Sequence, residues 1–195
     1  MIDAEAKEWF DSIWNSNDSM ALIQGEEGRA IFDIARRLPE GSLMVELGCY
    51  EGKSTSILAA VADKNNLKLY CVDPLISFPN GGVPTTEHTL DVFRKNVLDV
   101  YKNIEWAGHK ITSNQAAGIM NEPVDYIFID ADHSYSSCIQ DCRNWMPKLK
   151  PGCLATFHDI NNVAFIGILH AVEEYCVGWE EFDSTWNLKT FRKPI

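Results

Sequence analysis

Hydrophobic positions along the chain fall into two rhythms. Ala6, Trp9, Phe10, Ile13 and Trp14 recur at helical spacing and predict a helix over residues 4–16. Ala30, Ile31, Ile34 and Ala35 lie along one face of a second helix over 26–38, which Pro39, Glu40 and Gly41 end. Short apolar runs follow at Leu43–Leu47, Leu67–Val72, Val124–Ile129 and Cys153–Phe157, with a weaker one at Ile104–Ile111, and these read as strands. Helical patterns separate them over Ser54–Asp63, Glu87–Tyr101, Asn114–Met120, Ser137–Met146 and Phe165–Val177. Pro147 ends the fourth of these, and Glu180–Arg192 reads as a terminal hairpin. Ser77–Thr86, with Pro79, Gly81, Gly82 and Pro84, reads as an exposed loop, either a lid or plain surface.

Strands that alternate with helices predict an α/β fold: a Rossmann-like, doubly wound sheet, mostly parallel, with helices on both faces and an antiparallel C-terminal hairpin. Nothing in the chain marks a domain boundary, so residues 1–195 are expected to form one domain, with the helices of 1–40 covering the cofactor or acceptor side. In such sheets ligands bind at the carboxyl ends of the strands. Glu46, Asp73, Asp130 and Asp159 all stand at predicted strand ends, which places them on one rim.

Composition narrows the partners. The net charge of −11 disfavours phosphate backbones and anionic lipid, so neither nucleic acid nor a membrane is expected. No apolar run reaches membrane-spanning length, and the acidic start lacks a secretory pattern. Six cysteines without a Cys-x-x-Cys pattern read as reduced thiols in a cytoplasmic protein. Trp9, Phe10 and Trp14 read as core, with a cover over the cofactor or a homo-oligomer contact as the other readings.

The most telling stretch is Val45-Glu46-Leu47-Gly48-Cys49-Tyr50-Glu51-Gly52-Lys53-Ser54. It reads as a strand end, a glycine turn and a helix start, a geometry that brings backbone N–H groups close to a ligand. Gly52-Lys53-Ser54 mimics the end of a Walker phosphate loop, and Ile127-Phe128-Ile129-Asp130 mimics a Walker B strand. The Walker loop needs four residues between its first glycine and the Gly-Lys pair; Gly48 and Gly52 enclose three. Glu46 sits in an apolar setting where an unpaired charge is costly, which points to a role for it. Asp73 follows 21 residues after Gly52, a distance suited to ribose hydroxyls in NAD or in an adenosyl cofactor.

The segment VELGCYEGKSTSILA resembles the first motif of class I S-adenosylmethionine-dependent methyltransferases, and is particularly similar to the catechol and caffeoyl-CoA O-methyltransferase branch. VDYIFIDADHSY, LKPGCLATFHDI and QGEEGRAIFDIARRLPEG resemble small bacterial enzymes of the macrocin-type sugar O-methyltransferases and cephalosporin-pathway enzymes. The resemblance spans about residues 24–177 and implies methyl transfer from S-adenosylmethionine to a hydroxyl of a small molecule, such as a sugar or phenolic metabolite. It implies that Glu46, Gly48 and Gly52 hold the methionine end, that Asp73 takes the ribose, and that Ser113 sits near the adenine. A plain helix N-cap is the other reading of Ser113. It also implies a divalent cation, Mg²⁺ or Mn²⁺, at Asp130, His158 and Asp159. The family pair is usually Asp-Asn or two acids; His158-Asp159 departs from it, and imidazole suits Mn²⁺, Zn²⁺ or Fe²⁺ better than Mg²⁺.

With a metal at Asp130, the ion lowers the acceptor's pKa; without one, His133 or His158 is the general base. Two other functions remain open on sequence alone: a phosphate-loop nucleotide hydrolase using Lys53 and Asp130, and a non-catalytic binding module with a cofactor fold.

Overall fold

All five residues of the first strand, β1 (Leu43–Leu47), are buried, as expected of a strand covered on both faces. The computed structural model describes residues 3–17, 19, 22–75 and 85–195. Beside β1 stand β2 (Lys68–Val72), β3 (Ile104–Trp106), β4 (Val124–Ile129), β5 (Leu149–Phe157), β6 (Glu180–Thr185) and β7 (Leu188–Arg192). They form one sheet in the order β3-β2-β1-β4-β5-β7-β6. β1 to β5 run parallel, and β7 is antiparallel between β5 and β6. The expected doubly wound sheet with its C-terminal hairpin is the fold found.

The helices divide between the two faces. α1 (Ala4–Ser16), α2 (Gly25–Ala35) and α3 (Lys53–Asn65) pack with Met44, Leu69, Tyr126 and Phe128 of the sheet. α5 (Ser113–Ile119), α6 (Tyr135–Trp145) and α7 (Ile166–Tyr175) cover the opposite face with Val45, Leu47, Ile127 and Phe157. α4 (Glu87–Phe93) continues into a wide π-helical turn over Arg94–Leu98, and Phe93 and Val97 pack there against Cys49, Cys71 and Leu75. α1 forms because its apolar stripe buries Ala6, Phe10 and Ile13 while Asp3 accepts from the Ala6 N–H at its start. Burying a side chain of Phe or Ile size stabilises by about 1.5–3 kcal/mol. Trp9, Phe10 and Trp14 therefore belong to the core or its border.

Several boundaries differ from the sequence pattern. α2 ends at Ala35, because Arg36 to Leu38 turn away ahead of Pro39. β3 stops at Trp106, two residues before Gly108 takes a φ of +104°. β5 starts at Leu149 and runs through Pro151-Gly152; a register shift opposite Val124 and Tyr126 absorbs the proline that cannot donate to the ladder. The loop expected over 77–86 lies, apart from Thr85 and Thr86, outside the described residues.

Register fixes the rim. Leu47 pairs with both Val72 and Ile129, and Ile129 pairs with Phe157. Gly48, Asp73, Asp130 and His158 follow those residues directly, so all four leave the sheet at one level.

Candidate active site

A cavity of about 560 Å³ opens along that rim. Its floor comes from the turn after β1 (Gly48 to Glu51, with Lys53 and Ser54), its sides from Asp73, Ser113 and Asp141, and its far end from Asp130 to His133, His158, Asp159 and Phe165. Leu22 and Ile23, just before α2, also reach it.

Gly48 is required by close approach. Its φ is +89°, and a Cβ there would sit 1.8 Å from the Asp130 carbonyl oxygen. Gly52, also at φ +89°, is required by packing: a Cβ would meet Val97 Cγ2 at 2.4 Å. Gly52 does not line the cavity; it is the N-cap of α3.

Glu46 does not line the cavity either. Side chains alternate along a strand, so Glu46 faces the same side as Met44, beneath the first turn of α3. It is fully buried, and its Oε1 accepts from Ser54 Oγ at 2.5 Å while Oε2 has no partner. Burial pushes its carboxyl up to about 8 despite the Ser54 bond, so it holds a proton at neutral pH.

Asp73 ties the turn together. Its Oδ2 accepts from the N–H groups of Cys49 and Tyr50, each at 2.8 Å, and its Oδ1 accepts from Leu75 at 2.7 Å. These bonds hold Tyr50 and Leu75 at positive φ, +48° and +49°. Ser113 is not the cap of its helix. Thr112 is, and Ser113, the first helical residue, donates to the buried Asp141 at 2.6 Å. Burial raises the Asp141 carboxyl to about 6, against the pull of that bond.

Lys53 has no phosphate-loop geometry. Its ammonium donates to the carbonyls of Trp14 at 2.6 Å and Asn17 at 3.3 Å, and lies 4.4 Å from the centre of the Trp14 ring. It fastens the end of α1 to the start of α3.

At the far end, four titratable groups face one another. His133 Nε2 lies 3.4 Å from Asp159 Oδ2 and 3.8 Å from Asp130 Oδ1. His158 Nδ1 lies 3.3 Å from Asp130 Oδ1 and 3.5 Å from Asp159 Oδ2. Both of those ring nitrogens are buried without a well-aligned hydrogen bond. Asp159 has a φ of +55°, a left-handed conformation that Asp tolerates better than most residues. Phe165 stacks on the His133 ring, with centroids 4.1 Å apart. His133 precedes the α6 cap, Ser134, and points into the cavity rather than to solvent.

Charges here reinforce each other. Burial alone would raise Asp130, but His158 and His133 hold its carboxyl well below the usual range. Burial alone would lower the His158 imidazole, but Asp130, Asp159 and Glu27 push it up to about 12. His133 is raised in the same way, by Asp130 and Asp159 against burial. His158 is 4% exposed, and its Nε2 lies 3.1 Å from the Glu27 carboxylate, a partner the sequence reading missed. Among the described residues, the group with mutual ligand spacing is Asp130, His133 and Asp159, whose donor atoms lie within 4.8 Å of one another. His133 thus joins the two acids, and His158, expected with them, also lines the cavity with its Nδ1 3.3 Å from Asp130 and 3.5 Å from Asp159.

No helix among the described residues is long and apolar enough to cross a membrane. Solved methyltransferase structures share this architecture. The O-methyltransferase NovP superimposes with a TM-score of 0.72 at 14% identity, over 91% of this chain and 84% of that one. A putative caffeoyl-CoA O-methyltransferase from Staphylococcus aureus gives 0.66 at 13% identity, over 98% and 100%. The O-methyltransferase from Bacillus cereus in complex with S-adenosylhomocysteine gives 0.62 at 17% identity, over 99% and 92%. The model of a methyltransferase domain family matches residues 45–160, from the glycine turn through the His158-Asp159 pair. That match takes in more than half of the chain and both ends of the cavity: the protein belongs to this methyltransferase family, whose cofactor is S-adenosylmethionine.

Proposed function

We propose that the protein transfers the methyl group of S-adenosylmethionine to a hydroxyl of a small molecule, a sugar or phenolic metabolite, in the cytoplasm, with neither nucleic acid nor membrane as partner. One observation carries the acceptor side of this reading. Beyond the glycine turn, the cavity ends on two carboxylates and two imidazoles set 3.3–3.8 Å apart. The net charge of −11 supports a small acceptor over a polyanion.

Bound, the cofactor supplies an electrophilic sulfonium methyl, so the protein must bind, align and deprotonate the acceptor. The backbone of Gly48 to Glu51, held by Asp73, binds the cofactor, with Ser54 presented from Glu46 behind it. Ser113 and Asp141 close the adenine side. His133, oriented by Phe165, takes the hydroxyl proton, and Asp130 and Asp159 stabilise the imidazolium that results. His158 has its Nε2 engaged by Glu27 and stays protonated, so it is a poor base.

Two orphaned ring nitrogens beside two carboxylates favour a second reading, in which Asp130, His133 and Asp159 hold a divalent cation. Such a donor set suits Mn²⁺, Zn²⁺ or Fe²⁺ better than Mg²⁺. When bound, the ion would lower the pKa of the acceptor hydroxyl.

Calorimetry with S-adenosylhomocysteine tests the cofactor assignment, and the absence of binding heat would sink it. A panel of sugar and phenolic acceptors with labelled cofactor tests the transfer. Chelation then separates the two readings: loss of turnover on EDTA, restored by one divalent ion, selects the cation, and full turnover selects His133 as the base.

A further inference from the structure

We infer that Glu27 is a positioning residue of the reactive rim: through His158 it sets how the carboxylates of Asp130 and Asp159 are held. This rests on the role proposed above for those two acids.

The observation begins with an anomaly. Glu27 stands at the third position of α2, where its side chain accepts from the Gln24 N–H at 2.8 Å and completes a capping box. A capping glutamate lies on the first turn of a helix and has no need to be buried. Glu27 is only 1% exposed. Its other oxygen accepts from the Asn187 N–H at 2.9 Å, in the turn between β6 and β7. The oxygen used in the cap also meets His158 Nε2 at 3.1 Å, across 131 residues of sequence. Burying a carboxylate is costly, and a cap alone gives no reason for it.

Strand alternation explains how the contact arises. His158 extends β5 by one residue, on the same side as Thr156, and that side faces α2. Glu27 accepts the Nε2 proton and so fixes the imidazole plane. The opposite ring nitrogen, Nδ1, is thereby aimed between Asp130 Oδ1 and Asp159 Oδ2. The result is a chain of contacts from the N-terminal helices and the C-terminal hairpin into the two acids, the arrangement by which outer partners orient inner groups in many sites. Glu27 does not line the cavity, so it acts on the rim and not on the cofactor.

Glu27→Gln and Glu27→Ala test the inference. Gln keeps the shape and one oxygen, enough for the Gln24 or the Asn187 N–H but not both, and loses the charge toward His158. Three measurements are needed on the intact chain: S-adenosylhomocysteine affinity by calorimetry, Mn²⁺ affinity by electron paramagnetic resonance, and the His158 ring N–H signals by NMR. Expected are cofactor affinity within twofold of wild type, Mn²⁺ affinity about 10–100-fold weaker, and a displaced or exchange-broadened Nε2–H signal in both variants. Thermal melts confirm folding; if Ala unfolds, Gln carries the test. Unchanged Mn²⁺ affinity and an unchanged Nε2–H signal in a folded Gln variant would overturn the inference. If the wild type binds no Mn²⁺, the cation reading fails by itself, and the Nε2–H signal alone decides on Glu27.

Discussion

The two ends of the cavity use acidic residues in opposite ways. At the end proposed for the cofactor, the acids are tied into the protein's own scaffold, although Glu46 Oε2 lacks a partner. Asp73 accepts three backbone N–H groups. Glu46, buried under α3 and held against Ser54, carries a proton at neutral pH. At the reactive end, Asp130 and Asp159 face His133 and His158 across gaps of 3.3–3.8 Å, with two ring nitrogens lacking an aligned partner. One end is a scaffold, the other an assembly of mutually dependent charges. Under the proposed function, the first end seats the cofactor and the second takes the acceptor, a division of labour that suits methyl transfer.

Substitutions at the two ends should therefore separate binding from chemistry. The largest effect is expected at His133. His133→Gln should lower methyl transfer by about 10²–10⁴-fold, with S-adenosylhomocysteine affinity within twofold of wild type; equal losses in both would erase the division. Next comes Asp73→Asn, which leaves the shape but weakens bonds to a charged acceptor, each of which contributes about 1.5–3 kcal/mol. Cofactor affinity should drop by about tenfold or more in calorimetry, while the His133 and His158 signals stay in place by NMR.

A smaller effect is expected from Glu46 as pH rises. Its folded-state pKa of about 8 lies above the ordinary 4.5, so the folded chain keeps a proton that the unfolded chain releases. Its contribution to stability is full below about 4.5 and is lost as pH climbs through about 8. The Tm of the cofactor-free protein should fall across that window, and Glu46→Gln should flatten the slope. A slope unchanged in Glu46→Gln would assign the proton elsewhere. The smallest effect is expected at Lys53. Lys53→Met should cost about 1 kcal/mol by freeing the end of α1, read as a lower urea midpoint, with any heat on ATP addition unchanged from wild type.

Much of this was legible in the sequence, and the misses have a pattern. Strand identities followed from apolar runs, and the rim followed from strand ends in a parallel sheet. Helix limits slipped where turns replaced the last helical residues, as at Ala35, and where a bulge let β5 absorb Pro151-Gly152. Asp130, His133 and Asp159 come together as their position at the rim suggested. Glu46 and Gly52 were expected at the ligand and stand behind the wall. For Glu46 the signal was present, because alternation with Met44 aims it under α3. For Gly52 it was not, since contact with Val97 depends on the π-helical turn over Arg94–Leu98, far along the chain. Glu27 escaped because its spacing from Gln24 is fully explained by a local cap; nothing local announces His158.

Asp159 carries one more consequence. Its left-handed backbone, φ +55°, is adopted at least cost by Gly, Asn and Asp. Exchange between Asp and Asn takes a single nucleotide change and leaves the path of the chain intact. The charge of the rim can therefore be altered by one full unit in one mutational step, without any rebuilding of the sheet beneath. Descendants of this fold have a short route to a different ion or a different acceptor, and that route runs through a residue whose backbone suits both members of the exchange.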